Sequence, residues 1–194
     1  MPPAEPMPAR SFKLAFIGSH GVGKTTLCYG LAARLKARDV ALDVVHEVAR
    51  RCPLPINAET GVASESWILH TQIAEELVAA VRYPLVVCDR SALDNYVYLL
   101  LAAGPQPGLE ALVDFWMGTY DLLVRVPIVG TLSPDGVRAE DPAFQRAVEQ
   151  RLDAELGRRR LAWLDLDPGE RDGWLERVEA AVWDCLRPPQ LRLL

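Results

Sequence analysis

The chain has 194 residues, half of them apolar, with a formal charge of −5 and an isoelectric point near 5.3. That length suits a single α/β domain with a full core, and without an 18-residue apolar run nothing in the sequence is expected to span a membrane. The acidic balance disfavours a surface that coats nucleic acid, and the short basic run Arg158 to Arg160 reads as a solvated helix end.

In chain order, Met1 to Ala9 is Pro-rich and lacks the basic-then-apolar order of a signal peptide, so residues 1–10 read as a floppy lead. Phe12 to Ile17 is an apolar run that reads as the first strand. It runs into Gly18-Ser19-His20-Gly21-Val22-Gly23-Lys24-Thr25-Thr26, which has the spacing G-x-x-x-x-G-K-T of a P-loop. Glycines at 18, 21 and 23 let the backbone curl until consecutive N–H groups face phosphate oxygens, and the helix that follows adds the positive end of its dipole. Lys24 is then placed to reach the β- and γ-phosphates, and the Thr25 hydroxyl to hold Mg²⁺. The alternative is a Gly-rich turn beside a surface lysine. The strand before and the helix after favour phosphate binding, and so does the scarcity of lysine, found only at 13, 24 and 36.

Leu27, Leu31 and Leu35 mark a helix over 25–37, and Val40 to His46 reads as the second strand, ending at Glu47 with Arg50 and Arg51 beyond. A Pro-rich loop at 52–56 breaks regular structure. Leu69, Ile73, Leu77 and Val81 then set a long helix over 62–82. Pro84 to Asp89 is a short apolar run closed by an acid, the look of a central strand buried on both faces. Helices over 91–103 and 109–117 lead to a strand over 120–126. A polar Gly/Pro-rich segment fills 127–141, a helix 142–157 and a fifth strand 161–165. Trp174, Val178, Ala181 and Cys185 mark a closing helix. Strands alternating with helices imply a five-stranded parallel sheet with helices on both faces, an α/β three-layer sandwich over about 11–187 with a short tail at 188–194. Ligands of such sheets bind beyond the C-terminal ends of the strands. Those ends carry the loop glycines, Glu47, Asp89-Arg90 and the 127–141 segment.

At that edge Asp89 is placed for a Walker B acid at the magnesium, or else for a helix N-cap. Arg90 points toward the same cleft or makes a structural ion pair. Glu47 is a candidate general base, with pairing to Arg50 or Arg51 as the plainer reading. His20 contributes its backbone N–H, and His46 is a bystander. The turn Ser133 to Arg138, with Arg146 eight residues on, reads as a lid (about 127–146) that brings Arg138 and Arg146 over a transferring phosphoryl, or as an ordinary surface loop. The four cysteines at 28, 52, 88 and 185 form no C-x-x-C pair and sit in or beside apolar segments, so reduced thiols in a cytoplasmic protein are expected.

The combination of the glycine loop, Glu47-Val48-Ala49-Arg50, Asp89-Arg90-Ser91, and Asp135-Gly136-Val137-Arg138 with Arg146 resembles small P-loop kinases. It is similar to the AAA-like ATPase/kinase group that includes the ribosylnicotinamide kinase domain. Asp89-Arg90-Ser91 looks like the acid-Arg-Ser triplet of thymidylate and deoxynucleoside kinases, and Gln72 resembles the glutamine with which deoxynucleoside kinases hold a base. The resemblance implies a P-loop NTPase fold with a lid that passes the ATP γ-phosphoryl to a small-molecule hydroxyl or phosphate. Lys24 and the loop then hold the triphosphate, Thr25 and Asp89 the Mg²⁺, Arg138 and Arg146 the γ-phosphoryl. Glu47 or else Asp89 takes the proton, and Arg50, Gln72 and Arg90 orient the acceptor. Asp89 is followed by Arg90, unlike the ribosylnicotinamide kinase, and no aromatic sandwich is legible, so the acceptor stays a nucleoside, nucleotide or related riboside. A nucleotide-dependent ATPase switch is the alternative. A GTPase is opposed by the lack of N-K-x-D, and a polynucleotide kinase by the acidic charge. A homodimer is compatible with this reading.

Overall fold

The computed structural model describes residues 10–56, 60–130 and 141–186. The expected N-terminal lead before residue 10, the lid turn with Arg138, and the C-terminal tail lie outside the described residues. Five strands, β1 (Phe12–Ile17), β2 (Leu42–Val45), β3 (Leu85–Asp89), β4 (Leu122–Arg125) and β5 (Leu164–Asp165), form one parallel sheet in the order β2-β3-β1-β4-β5. Among the described residues six helices connect or flank them: α1 (Lys24–Lys36), α2 (Val62–Arg82), α3 (Ala92–Ala103), α4 (Pro107–Met117), α5 (Pro142–Arg159) and α6 (Trp174–Leu186). None of the helices is long and apolar enough to cross a membrane.

Alternation along β1 builds both layers of core. Leu14 and Phe16 face α1 and α6, packing with Leu31, Leu35, Val178 and Val182. Ala15 and Ile17 face the other side, where Leu69, Leu93, Val97 and Leu152 cover them. A central strand covered on both faces is the reason β1 and β3 read as unbroken apolar runs.

The outer strands are shorter than their sequences imply, and helix ends explain why. The expected strand at 40–46 contracts to Leu42–Val45 because Val40 donates its N–H to Leu35 O (3.1 Å) in the closing turn of α1. At the opposite edge Arg160 takes a left-handed conformation (φ 53°) as the C-cap of α5, and Leu161 donates to Leu156 O (3.2 Å). Those residues finish a helix, which leaves two for β5. Pro107 at the first helical position starts α4 two residues earlier than expected.

Lys13 interrupts the apolar β1 run, and the fold buries it. Its ammonium donates to Glu76 Oε2 of α2 at 2.6 Å, and lies 4.4 and 4.3 Å from the ring centroids of Trp116 and Tyr120. Glu76, wholly inaccessible, also accepts from Trp116 Nε1 (2.7 Å), Tyr120 Oη (2.7 Å) and Gln72 Nε2 (2.9 Å). With its lone pairs so occupied, the carboxylate is a fully satisfied buried ion. Burial first, and then the field of Glu76, push the Tyr120 hydroxyl well above its ordinary pKa.

Removing one member of such a pair strands the other. Glu76→Ala is expected to destabilise the fold by about 3–5 kcal/mol, and the double change Lys13→Met with Glu76→Leu by clearly less, as read from urea unfolding. A Glu76→Ala midpoint equal to wild type would show that the ion pair does not hold α2 to the sheet.

Candidate active site

The first turn of the site is shaped by glycine. Gly18 has φ +142°, and a Cβ there would stand 2.6 Å from the Val126 carbonyl oxygen, so no side chain fits. Gly23, at φ 97°, is the left-handed residue that launches α1. Lys24 is buried, and its ammonium folds back to donate to Gly18 O (2.8 Å) and Ser19 O (2.5 Å), bracing the loop across its own mouth. Thr25 Oγ1 donates to Asp89 Oδ2 at 2.6 Å. Two hard oxygen donors from neighbouring elements are the donor type that Mg²⁺ takes, so these residues fit that ion.

Asp89 stands at the end of β3 and does not cap α3. Ser91 does, its Oγ accepting from Asp94 N (3.2 Å) while Asp94 Oδ2 accepts from Ser91 N (2.9 Å) and Ser91 Oγ (2.7 Å). The other oxygen of Asp94 accepts from Gly18 N at 2.9 Å, which ties the loop to α3. Helix α5 closes the other side. Gln145 donates to His20 O (2.8 Å), and Glu149 accepts from Ser19 N (3.4 Å) and pairs with Arg125 (3.0 Å).

Arg90 follows Asp89 at φ 98°, a left-handed conformation rare for a side chain of this size. Its Nε donates to Glu47 Oε1 at 2.9 Å, both groups being buried, and its guanidinium carbon lies 5.1 Å from the Tyr98 ring centroid. Burial pulls the guanidinium pKa down, but the fields of Tyr98, Glu47, Asp94 and Asp89 outweigh it and hold the group above its ordinary value. Glu47 caps the 3₁₀ turn Val48–Arg51 rather than ending β2, and its second oxygen accepts from Arg50 Nε at 2.8 Å. Gln72 is fully buried on α2 and donates to Glu76 and to Arg90 O (3.3 Å). Both partners are acceptors, so the amide nitrogen must face them and Oε1 faces away. Tyr98, Phe144 and His20 form an aromatic group nearby, with His20 Nδ1 3.1 Å from Tyr98 Oη and ring centroids about 6 Å apart.

The structure thus brings together Lys24, Thr25, Asp89, Arg90, Glu47, Arg50 and Gln72. Val22 is buried within the loop, whereas Gly21 and Thr26 are exposed. Arg146 is exposed on α5 and makes no hydrogen bond or ion pair among the described residues; Arg138 lies outside them. Asp94, Gln145, Glu149, Tyr98 and Glu65 were not singled out from sequence. For Asp94 a signal was present, since Ser91-x-x-Asp94 is a capping-box pattern.

Geometry and loop together define a P-loop nucleotide-binding architecture. The chain belongs to the AAA domain family AAA_28, whose model matches residues 13–173. Among solved structures it is similar to deoxyadenosine kinase from M. mycoides with bound dATP, at 14% identity and TM-score 0.60, covering 88% of this chain and 98% of that one. It is also similar to NadR protein in complex with NAD and AMP-PNP, at 20% identity and TM-score 0.66 over 90% of this chain. The chain spans about half of the NadR chain, 49% of its length. At these identities the likeness is one of fold. No curated protein sequence matches the chain.

Glu65, buried on α2, accepts from Thr60 Oγ1 at 3.2 Å. Burial raises its carboxyl to about 7, against smaller lowering effects from Thr60 and Arg90. The folded pKa exceeds the unfolded one, so this group's stabilising effect is full below about 4.5 and is lost as pH rises through about 7. Glu65→Gln is expected to flatten the fall in melting temperature between those pH values and to stabilise the protein at pH 8 by on the order of 3 kcal/mol. An unchanged pH profile in the variant would remove Glu65 from this role.

Proposed function

We propose that the protein is an ATP- and Mg²⁺-dependent kinase that passes the γ-phosphoryl to a nucleoside, nucleotide or related riboside. The observation that carries the reading is the buried Glu47–Arg90 pair standing beside the Lys24–Thr25–Asp89 constellation. A buried, oriented acid and arginine beside the phosphate loop supply what a kinase needs to hold a second substrate. The two similar structures, a deoxyadenosine kinase with dATP and NadR with NAD and AMP-PNP, support nucleotides as the ligand class.

In this reading the loop amides and Lys24 hold the triphosphate. Thr25 and Asp89 hold Mg²⁺, which when bound neutralises charge on the phosphates. The acceptor hydroxyl attacks the γ-phosphorus, ADP departs, and the proton passes to Glu47 or else to Asp89. Arg90, with Arg50, orients the acceptor, and where the acceptor is a phosphate the arginines clamp it and no base is needed. Gln72, its amide sense set by Glu76, offers a carbonyl oxygen to an acceptor N–H. Arg138 and Arg146 close over the γ-phosphoryl. A reducing cytoplasm is part of this reading, supported by four cysteines that form no disulfide; burial, with Asp89 adding to it, pushes the Cys28 thiol well above its ordinary pKa.

Incubation with Mg-ATP and a panel of nucleosides, nucleotides and vitamin-like ribosides is expected to give ADP release that depends on one acceptor. Equal release across the panel would instead establish the ATPase switch. With the responding acceptor in hand, Glu47→Gln is expected to lower kcat by about 10²–10⁴ if the acceptor is a hydroxyl, and a loss under tenfold would assign Glu47 to positioning Arg90. Lys24→Ala is expected to remove about 2.7–4 kcal/mol of transition-state stabilisation, and unimpaired kcat/KM in that variant would contradict the loop assignment.

A further inference from the structure

Helix α2 turns several polar residues inward and an apolar stripe outward. Its inner face buries Ser64, Glu65, Gln72 and Glu76 along with Ile68, Leu69 and Ala79. On the outer face Leu77, Val78 and Val81 are 53%, 50% and 88% exposed. A helix that met only its own sheet would carry the opposite pattern.

The outer stripe runs nearly the whole length of the helix. Ala63, Trp67, His70, Ala74, Leu77 and Val81 follow at steps of four, three, four, three and four, the heptad spacing of a seam that packs on a second helix. Trp67 is half-buried and the other five are exposed. His70 is the polar member, and its Nδ1 is turned back onto Ser66 O of the same helix at 2.7 Å. No charged side chain interrupts the seam, as in the core of a protein–protein interface. A helix that lies on a lipid surface would instead bring lysine and arginine to its flanks, and between 63 and 81 there is none.

The stripe is complementary to itself. Two copies laid antiparallel about the midpoint of His70 and Ala74 set Ala63 against Val81, Trp67 against Leu77 and His70 against Ala74. Each layer joins a larger side chain to a smaller one, which fills the space between two helices without voids. The same patch serves both copies, as a two-fold axis requires. A parallel pair would crowd Trp67 on Trp67 and His70 on His70 while leaving alanine opposite alanine at 63 and 74. From Ala63 to Val81 the seam is about 27 Å long. On a helix of ordinary width it presents on the order of 500 Å² per copy, about 1,000 Å² in all, the lower limit for a specific interface.

We propose that the outer face of α2 is the contact surface of a homodimer, in which the two helices pack antiparallel and brace the element that carries Gln72. Sedimentation equilibrium of the full chain is expected to show a monomer–dimer equilibrium with a dissociation constant of about 1–100 μM, the range that suits so small an interface. Leu77→Glu puts its carboxylate in water in the monomer and in the seam of the dimer. It is expected to raise that constant at least about 100-fold, with the far-ultraviolet circular dichroism unchanged. Trp163→Glu, at an exposed apolar site by the opposite edge of the sheet, is expected to leave it within about twofold. Cross-linking fixes the orientation. In a chain with Cys185→Ser, which removes an exposed native thiol, Ala74→Cys is expected to join two copies through a short bismaleimide. Ala63→Cys is not, because its two copies stand about 27 Å apart along the seam. A monomer at every concentration, a dimer indifferent to Leu77→Glu, or equal cross-linking at 63 and 74 would each overturn the assignment.

Discussion

One carboxylate joins the two walls of the site. Asp94 holds the amide of Gly18 with one oxygen and the N–H and hydroxyl of Ser91 with the other, so the loop before α1 and the turn before α3 cannot move independently. The contact is available because Gly18 can come within van der Waals range of the Val126 carbonyl, where any side chain would collide. From that fixed origin the rest of the geometry follows. β1 and β3 are register neighbours, with Phe16 opposite Asp89, so the loop and the acid emerge side by side and Thr25 meets Asp89. A buried, charge-assisted hydrogen bond of this sort acts as a strut, since leaving the carboxylate unsatisfied would cost more than the bond contributes.

Much of this architecture could be read from the residues. The glycine spacing, the alternation in β1 and the apolar run ending in Asp89 specify a parallel sheet with a phosphate loop at its C-terminal edge, and all five strands lie where expected, β1 at full length and the other four shortened. Helix α2 shows where periodicity misleads. Leu69, Ile73, Leu77 and Val81 locate the helix, yet Leu77 and Val81 are 53% and 88% exposed, while Glu65, Gln72 and Glu76 on the inner face are buried. Hydrophobic spacing finds the apolar face that core burial normally demands. Here the inner face meets Lys13, Tyr120 and the backbone of Arg90, so polar residues belong inside. No local pattern announces that, because the partners are 44 and 63 residues away for Tyr120 and Lys13.

The same distinction runs through the site. The positions of Lys24, Thr25 and Asp89 at one edge of the sheet were legible because a short glycine spacing and a single apolar run set them. The bonds from Gln145 and Glu149 to the loop were not, since each spans more than 100 residues of sequence. Glu47 shows a mixed case: one oxygen accepts from Arg50, the pairing expected as its plainer reading, and the other accepts from Arg90, the ion pair expected as that residue's alternative. A carboxylate bridging two arginines is fixed in orientation, which a base or a positioning group equally needs.

Arg90 concentrates the costs that the fold accepts at this edge. Its backbone is held left-handed, its guanidinium is taken out of water, and its Nη1 has no hydrogen-bond partner among the described residues. Gln72, bonded to the Arg90 carbonyl, likewise has an unpartnered Oε1. Strain and desolvated polar groups each cost on the order of 1–3 kcal/mol, and a core free to optimise stability alone would remove them. Glu47 and the Tyr98 ring offset part of that cost but leave a cationic N–H and an amide oxygen with capacity to spare on either side of one peptide. On the proposed kinase reading, a ligand carrying an acceptor for the first and a donor for the second would relieve both, and that relief would add to its binding.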